Sequence, residues 1–256
     1  MSVAPGLTAL VLAGTRPGGD PLARENGVTH KALLDIGGCS MLARVVGALR
    51  AVPQVARVVI ATDRDDLLRH LPPGEKPVLL LQAGAGPSAS VALALNALGT
   101  PLLVTTADHA LLQPEWIQEL LATDAGDADA LVALARREAV MTAAPDTLRT
   151  WLRFADGDYS GCNLFLLRTT ATLGVVKLWQ ELEAARKRPL TLLGRLGPGY
   201  VLRYRLGWLR LDAALQRLGQ LCGARIRQVI LSDGRAAIDV DKSEDLELVR
   251  RLVATR

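Results

Sequence analysis

The stretch Leu10-Val11-Leu12-Ala13-Gly14-Thr15-Arg16-Pro17-Gly18-Gly19 joins a short apolar run to a loop that holds three glycines. The apolar run, residues 8–12, is bounded as buried β-strands are, and it predicts one. Glycines let backbone N–H groups approach a ligand where a Cβ would block them. Such N–H groups, together with the side chains of Arg16 and Lys31, suit the oxygens of a polyphosphate. The stretch therefore predicts a phosphate-binding loop; the alternative is a mobile basic surface loop.

The composition is that of a globular protein with enough material for a large core. The chain has 256 residues, of which 50% are apolar and 22% charged, which predicts one domain over residues 1–256. The cysteines, Cys39, Cys162 and Cys222, are far apart and form no CxxC pair. This favours a reducing compartment and argues against a disulfide framework or a thiolate zinc site. The N-terminus lacks the pattern of a secretory signal and no apolar run approaches transmembrane length, so we expect a cytoplasmic protein.

Strand-like and helix-like segments alternate through the first half of the chain. Apolar runs predict strands at residues 8–12, 56–62, 77–82 and 101–106, and periodicity predicts helices at 40–51, 63–70, 88–98 and 114–122. Beyond residue 128 we predict strands at 130–135, 164–167 and 224–231, a turn at 156–163, and helices at 169–187 and 243–253. Such alternation, with strands that are apolar throughout, predicts an α/β three-layer αβα sandwich with a mostly parallel central sheet.

Open sheets of this class bind ligands beyond the carboxyl ends of their strands. The polar residues that follow the predicted strands are therefore the candidates for a site: residues 14–16, Thr62 and Asp63, residues 82–90, and residues 106–109. Asp63 has a second interpretation, because it stands where the N-cap of the following helix belongs. Within the last set we interpret His109 as structural.

Aspartates are placed where a hard cation could bind. Asp108 follows directly on a predicted strand, so its carboxylate would face a ligand in the crevice and could hold Mg²⁺. Asp239 and Asp241 alternate along an extended segment and therefore share a face. One of them could complete a metal site opposite Asp108. The alternatives are a solvated loop acid at Asp108 and a capping box from Asp241 to Glu244 for the last helix.

Together these segments resemble the nucleotidyltransferase (NTP transferase) family of the GT-A-like fold, which includes molybdenum-cofactor guanylyl- and cytidylyltransferases. The family opening is similar to Leu12-Ala13-Gly14-Thr15-Arg16 and the later Lys31-Ala32-Leu33-Leu34. Residues 84–90 look like the base-recognition loop of the family, Asp108 like its first metal aspartate, and residues 239–246 like its closing motif. The order and spacing of four motifs over residues 8–122 and 239–250 is far more specific than any one of them.

The resemblance implies a Rossmann-like, GT-A-like fold and transfer of a nucleoside monophosphate from an NTP, with CTP or GTP favoured, to a small phosphorylated or lipid-linked acceptor. Pyrophosphate would be released, with Mg²⁺ as cofactor. The implied catalytic residues are Arg16, Lys31 and Asp108, and the implied metal ligands are Asp108 with Asp241 or Asp239. The implied nucleotide contacts are Leu12, Ala13, Gly14, Thr15, Arg16, Lys31, Thr62, Gly84, Gly86, Ser88, Ser90 and Thr106. Because the opening lacks the usual Gly-x-Gly-x-Arg spacing, Arg24 is the alternative to Arg16.

One segment carries the positive charge of the chain. Residues 186–210 hold seven Lys or Arg and no acid, whereas the remainder holds 23 basic and 26 acidic residues. This predicts a basic lobe, about residues 186–222, that binds an anionic acceptor, with Asn163, Lys187 and Arg188 as acceptor-binding residues. Its interleaved aromatic and apolar residues also suit peripheral contact with the inner face of a membrane. The alternative is a purely structural lobe whose apolar residues join the core while its arginines face water. Because the rest of the chain is net acidic, we expect no nucleic-acid partner.

Two other functions fit the predicted fold. A GT-A glycosyltransferase would use a nucleotide-sugar donor, but the sequence Thr106-Ala107-Asp108 lacks the expected Asp-x-Asp, and Lys31 also argues against it. A non-catalytic nucleotide-binding protein could keep the same fold without turnover. We further expect Lys31 and Asp108 to lie at exposed strand or loop ends, so that their removal would abolish turnover and leave folding intact.

Overall fold

The computed structural model describes residues 6–15, 18–184 and 197–255. Eight strands form one sheet within this part of the chain: β1 (Leu7–Leu12), β2 (Val55–Thr62), β3 (Val78–Gln82), β4 (Leu102–Thr106), β5 (Ala130–Arg136), β6 (Leu152–Phe154), β7 (Gly157–Leu167) and β8 (Ile226–Leu231). The order across the sheet is β3-β2-β1-β4-β7-β5-β8, with β6 pairing to β7. β7 runs antiparallel to its neighbours β4 and β5, and the other pairs on this path are parallel.

The register of the sheet brings four strand ends to one edge. Leu12, the last residue of β1, pairs with Ala61 of β2 and Thr106 of β4, and Thr62 pairs with Gln82 at the end of β3. The loops that follow these strands therefore leave the sheet side by side, as the rule for open α/β sheets requires.

The helices of the described ranges are α1 (Pro21–Glu25), α2 (Met41–Ala51), α3 (Pro87–Leu98), α4 (Pro114–Ala122), α5 (Arg137–Ala143), α6 (Thr172–Ala184), α7 (Pro198–Arg205), α8 (Leu211–Cys222) and α9 (Ser243–Ala254). Short 3₁₀ turns occupy Lys31–Leu33, Asp65–His70 and Gly234–Ala237. None of the helices described here combines the length and apolar character needed to cross a membrane.

Both faces of the sheet are covered, which confirms the predicted three-layer architecture. Successive residues of β1 alternate between two apolar clusters, because neighbouring side chains of a strand point to opposite faces. Ala9 and Val11 pack into the cluster that contains α2 and α4, whereas Leu10 and Leu12 pack into the cluster that contains α3 and α6. A strand buried on both faces must be apolar throughout, which is why this run was recognisable in the sequence.

The predicted turn at residues 156–163 is wrong. Most of this segment is the first part of β7, which pairs with β5 from Tyr159 to Gly161 and with β6 from Gly157 to Tyr159. Its glycines and polar side chains are typical of a turn, but here they belong to the end of a strand that lies near the functional edge of the sheet. The predicted helix at 63–70 is instead a 3₁₀ turn that begins at Asp65, and the predicted helix at 169–187 spans Thr172–Ala184 within the described residues.

Candidate active site

A cavity of about 670 Å³ lies at the edge where β1 and β4 end. Its lining includes most of the residues proposed from the sequence to contact a nucleotide: Leu12, Ala13, Gly14, Thr15, Lys31, Gly84, Gly86, Ser90, Thr106 and Asp108. Arg24 lines it as well, whereas Arg16 lies outside the described residues. Thr62 and Ser88 are buried and do not line the cavity. The Thr62 hydroxyl accepts from the N–H of Arg64. The volume is within the range of small-molecule sites.

A second groove, of about 740 Å³, lies at the opposite edge of the sheet and is more open. Its charged groups satisfy one another. Asp129 accepts from the hydroxyl of Thr169 at 2.7 Å and from the backbone N–H of Arg225 at 2.8 Å, and Arg168 donates to the carbonyl of Gly126. Because these groups already bind each other, we place the chemistry in the first cavity.

Thr15, shortly after β1, is tied to Asp63 at the end of β2. The backbone N–H and the hydroxyl of Thr15 both donate to Asp63 Oδ1, at 3.0 and 2.8 Å. Partial burial favours the neutral acid, but the hydrogen bonds from Thr15 outweigh it and lower the pKa of Asp63. The interpretation of Asp63 as a helix N-cap is therefore wrong. Gly18 and Gly19 have φ of 85° and 79°, a region that favours glycine.

The loop of residues 84–90 is closed by the side chain of Ser90. Its hydroxyl accepts from the N–H of Gly84 at 2.9 Å and donates to the carbonyl of Gly86 at 3.0 Å. A Cβ at Gly84 would lie 2.7 Å from Ala89, so the loop can fold back on the first turn of α3 only because residue 84 is glycine. This loop follows β3, which β2 and β1 separate from β4 and Asp108, and its residues Gly84, Gly86 and Ser90 line the cavity.

Lys31 joins two of the predicted metal aspartates. Its Nζ donates to Asp108 Oδ2 at 2.9 Å and to Asp241 Oδ1 at 3.1 Å, and 12% of the Lys31 side chain is exposed. Burial alone would lower the pKa of Lys31, but the two carboxylates outweigh it and raise the pKa above its usual value of 10.5. A mostly buried, fully protonated ammonium therefore lies where β4 ends.

His30, which sequence reasoning missed, positions Lys31. Its Nδ1 accepts from the N–H of Ala32 at 3.1 Å and so caps the 3₁₀ turn that carries Lys31. The ring also hydrogen-bonds to the backbone of Ala13, at the start of the 14–19 loop, and burial lowers the pKa of His30. The imidazole is therefore neutral at pH 7 and links the two segments of the cavity. A polar residue directly before Lys31 was the only signal in the sequence.

The third aspartate, Asp239, faces a different set of partners. It pairs with Arg149 Nη1 at 2.5 Å and accepts from Asn163 Nδ2 at 2.6 Å. Burial raises the pKa of Asp239; Arg149 opposes this, and Asp108 and Asp241 add to it. Arg149 was not proposed from the sequence, because it lies in an irregular segment after α5 that has no recognisable pattern. Asn163, predicted to bind an acceptor, donates to Asp239 in this structure and does not line the cavity.

These residues fit a divalent metal ion in their chemistry. Asp108 Oδ1 is buried and has no hydrogen-bond partner, which leaves one carboxylate oxygen available as a ligand. Asp239 lies close enough to Asp108 and Asp241 that their charges add to the effect of burial in raising the pKa of its carboxyl. Within the described ranges, no three His, Cys, Asp or Glu side chains converge as a preformed metal cluster.

The capping box predicted from Asp241 to Glu244 is wrong by one position. α9 has Lys242 at its N-cap, and Asp245 accepts from the N–H groups of Asp241 and Lys242, both at 3.2 Å. The Asp241 carboxylate is consequently directed to Lys31 rather than to the helix.

His109 belongs to the core, as the sequence interpretation expected. Its ring is fully buried and stacks on Trp116 with 5.9 Å between ring centroids. Burial lowers the pKa of His109 to about 4, so the ring is neutral. The predicted acceptor residues Lys187 and Arg188 lie outside the described residues.

Comparisons with known proteins identify the family of the chain. A family model, the MobA-like NTP transferase domain, matches residues 9–190, more than half of the chain. A hypothetical transferase from Thermus thermophilus has a similar structure, with 29% sequence identity, a TM-score of 0.81, and coverage of 94% of this chain and 100% of its own. No curated protein sequence matches the chain significantly.

Two further solved structures share the fold at lower identity. CMP:2-keto-3-deoxy-manno-octonic acid synthetase in complex with CTP is 16% identical, with a TM-score of 0.62 and coverage of 98% of this chain and 99% of its own. A 2-C-methyl-D-erythritol 4-phosphate cytidylyltransferase from Thermus thermophilus is 19% identical, with a TM-score of 0.51 and coverage of 98% and 100%. The family match spans both cavity loops, Lys31 and Asp108, and the chain is a nucleotidyltransferase that belongs to the MobA-like NTP transferase domain family.

Proposed function

We propose that the protein transfers a nucleoside monophosphate from an NTP to an anionic acceptor and releases pyrophosphate, in a reaction that depends on Mg²⁺. The observation that carries the proposal is the ammonium of Lys31 held between Asp108 and Asp241 at the end of a glycine-lined cavity. Nucleotidyl transfer needs positioning and neutralisation of charge more than it needs a nucleophilic side chain. The site offers cationic and acidic groups of this kind.

In the proposed reaction an acceptor oxygen attacks the α-phosphorus in line. The bond from that phosphorus to the bridging oxygen breaks, and pyrophosphate leaves with the electron pair. The N–H groups of the 14–19 loop and the side chain of Lys31 bind the triphosphate, with Arg16 or Arg24 as a further cation. An acceptor that is a phosphate monoester is already anionic at pH 7, so the site needs no general base.

Asp108 together with Asp241, or with Asp239, would hold Mg²⁺. When bound, that ion would supply Lewis-acid neutralisation of the developing charge. Lys31 binds both Asp108 and Asp241 in the structure, so these carboxylates would hold a metal ion only with the ammonium moved away from one or both of them. The free ammonium can then bind phosphate oxygens nearby.

We propose that CTP or GTP is the donor and that the acceptor is a small phosphorylated or lipid-linked molecule. The solved neighbour in complex with CTP has the same fold and supports a pyrimidine nucleotide in a cavity of this type. Asn163, Lys187 and Arg188 remain the proposed acceptor residues, and residues 1–256 the proposed single domain with its basic lobe at about 186–222.

A thermal-shift panel tests this function. CTP, GTP, ATP and UTP are each added with and without Mg²⁺. A ligand at about 100 times its dissociation constant stabilises the folded state by about 2.7 kcal/mol, which raises Tm by several degrees. We expect a shift with CTP or GTP that requires Mg²⁺. A shift with nucleotide sugars alone would favour a glycosyltransferase, and no shift with any nucleotide would contradict the proposal.

We also propose that the protein is cytoplasmic and contacts the inner face of a membrane through an apolar and basic surface, formed by Leu202, Leu206, Trp208 and the arginines Arg203, Arg205 and Arg210. Trp208 is 65% exposed, Leu202 58% and Leu206 48%, which is unusual for large apolar side chains. Aromatic, leucine and arginine side chains exposed together suit the headgroup region of an anionic bilayer.

Co-sedimentation with liposomes tests the membrane contact. We expect the protein to bind vesicles that contain anionic lipid, and we expect the triple variant Arg203→Gln, Arg205→Gln, Trp208→Ala to lose most of that binding. Leu148→Ala is the matched control, because Leu148 is 76% exposed and lies outside this surface. Equal binding by the wild type and the triple variant would contradict the proposal.

A further inference from the structure

One acidic side chain lies in the wall of the cavity away from the proposed metal site. Glu183, near the end of α6, lines the cavity together with Gly84, Gly86 and Ser90 of the 84–90 loop. Its Oε2 accepts from the buried hydroxyl of Ser88. A Cβ built on Gly86 would lie 3.2 Å from the same oxygen, so the carboxylate is packed directly against the loop.

The packing of α6 fixes where this carboxylate points. α6 packs on α3, and Val176 of α6 is buried in the apolar cluster that also contains Val91 and Leu95 of α3. Glu183 follows Val176 by seven residues, which is two helical turns, and so shares its face. That face meets the first turn of α3 at Ser88, and Glu183 therefore reaches the cavity from the side of the 84–90 loop.

The contact with Ser88 uses only part of the capacity of the carboxylate. An ionised carboxylate has two oxygens and about four lone-pair sites. Among the described residues, the Ser88 hydroxyl is the hydrogen-bond partner found for Glu183. The bond from Ser88 stabilises the first turn of α3 through Oε2 of Glu183. Oε1 of Glu183 is therefore able to accept a hydrogen bond from a ligand in the cavity.

We propose that Glu183 recognises the exocyclic amino group of the donor base and so selects an amino-bearing base over its oxo or unsubstituted counterpart. This rests on the proposed function, because it assumes that the base of an NTP occupies the 84–90 end of the cavity. The amino group of cytosine or of guanine donates to a carboxylate. The O4 of uracil is an acceptor and is repelled by one, and hypoxanthine has no 2-amino group to donate.

Two pairs of nucleotides test this group. CTP differs from UTP by an amino group in place of the oxygen at C4 and by a bare N3 in place of N3–H, whereas GTP differs from ITP only by a 2-amino group in place of hydrogen. A well-placed hydrogen-bonding pair discriminates between bases by roughly 5- to 150-fold in affinity. We expect the wild-type protein to bind the amino-bearing member of at least one pair more than about tenfold more tightly.

Calorimetric titration of the full chain in the presence of Mg²⁺ tests this assignment. CTP, UTP, GTP and ITP are titrated into the wild type, Glu183→Ala, Glu183→Gln and Ser88→Ala. We expect Glu183→Ala to reduce the discrimination to less than about threefold, a level below that of a specific hydrogen-bonding pair. Glu183→Gln keeps an amide oxygen that can accept, so it should retain an intermediate preference. Ser88→Ala removes the helix contact but keeps the carboxylate, and should retain the preference.

The outcomes separate this inference from the proposed function. If the wild type binds none of the four nucleotides, both fail. If it binds them but the CTP/UTP and GTP/ITP ratios are the same in Glu183→Ala as in the wild type, the role of Glu183 is wrong and the transferase proposal stands. Equal weakening of all four nucleotides in Glu183→Ala and Ser88→Ala would make Glu183 an anchor for α3 only. Glu181→Gln, on the same helix but outside the cavity lining, is the matched control.

Discussion

Replacing Lys31 with methionine is expected to abolish nucleotidyl transfer. Methionine keeps the length and much of the volume of lysine but has no charge and no donor. Removing one donor that stabilises charge in a transition state lowers kcat by about 10²- to 10³-fold, and the structure places the Lys31 ammonium beside Asp108 and Asp241, two of the three proposed metal aspartates. The measurement is the rate of pyrophosphate release with the NTP that gives the Mg²⁺-dependent thermal shift.

The same variant, although inactive, should bind Mg²⁺ more tightly than the wild type does. In the wild type, the ammonium of Lys31 occupies the space between Asp108 and Asp241. Without it, the charges of these carboxylates are no longer neutralised by the ammonium and attract a cation more strongly, so Mg²⁺ should bind more tightly to the nucleotide-free variant. Lys177→Met, an exposed lysine on α6, is the matched control. Full turnover in Lys31→Met, or an equal loss in Lys177→Met, would remove Lys31 from the proposed machinery.

The raised pKa of Lys31 predicts how this charge depends on pH. A lysine whose pKa in the folded protein exceeds the usual 10.5 adds stability that is complete below that value and is lost as the pH rises through the folded pKa. The ammonium therefore stays charged throughout the neutral range.

The first half of the fold was predictable because its sequence signals are local. β1, β4 and most of β2 are buried on both faces, so their apolar runs are continuous. β3 is a half-exposed edge strand, but its run from Val78 to Leu81 is apolar as well. Pro87 and Gly99 mark the two ends of α3. β7 was missed over most of its length because its first residues are polar and glycine-rich and are held by pairing with β5, which is distant in sequence, and with β6 across a two-residue turn. A strand that ends near a polar site carries polar residues there, so its amino-acid composition no longer distinguishes it from a turn.

The site was predictable as a set of segments but not as a set of contacts. Lys31 and Asp108 were expected at exposed ends, yet their side chains are only 12% and 22% exposed because each covers the other. Arg149 pairs with Asp239, which lies far from it in the chain. His30 caps the turn of Lys31 through a single ring nitrogen. Neither contact leaves a periodic pattern in the sequence.

Replacing Asp108 with alanine is expected to abolish turnover and, unlike the expectation from the sequence, to destabilise the fold. Asp108 is the residue whose buried Oδ1 is available to a metal ion and whose Oδ2 binds Lys31. Its loss removes a proposed metal ligand and leaves a mostly buried ammonium with Asp241, which is itself half exposed. Breaking a buried ion pair from one side costs about 3–5 kcal/mol; because this pair is partly solvated, we expect about 1–3 kcal/mol in chemical denaturation.

The double variant Lys31→Met, Asp108→Ala separates the two effects. If the destabilisation comes from the unpaired ammonium, then removing Lys31 as well should restore part of the lost free energy of unfolding, although turnover stays absent. Such non-additivity is the expected signature of two groups in direct contact. Asp108→Asn should retain more stability than Asp108→Ala, because its amide oxygen still accepts from Lys31, yet it should be as inactive, because it lacks the charge that a metal ligand needs here. Additive losses in the double variant would mean that Lys31 and Asp108 support the fold independently, and the pairing would then have no energetic role.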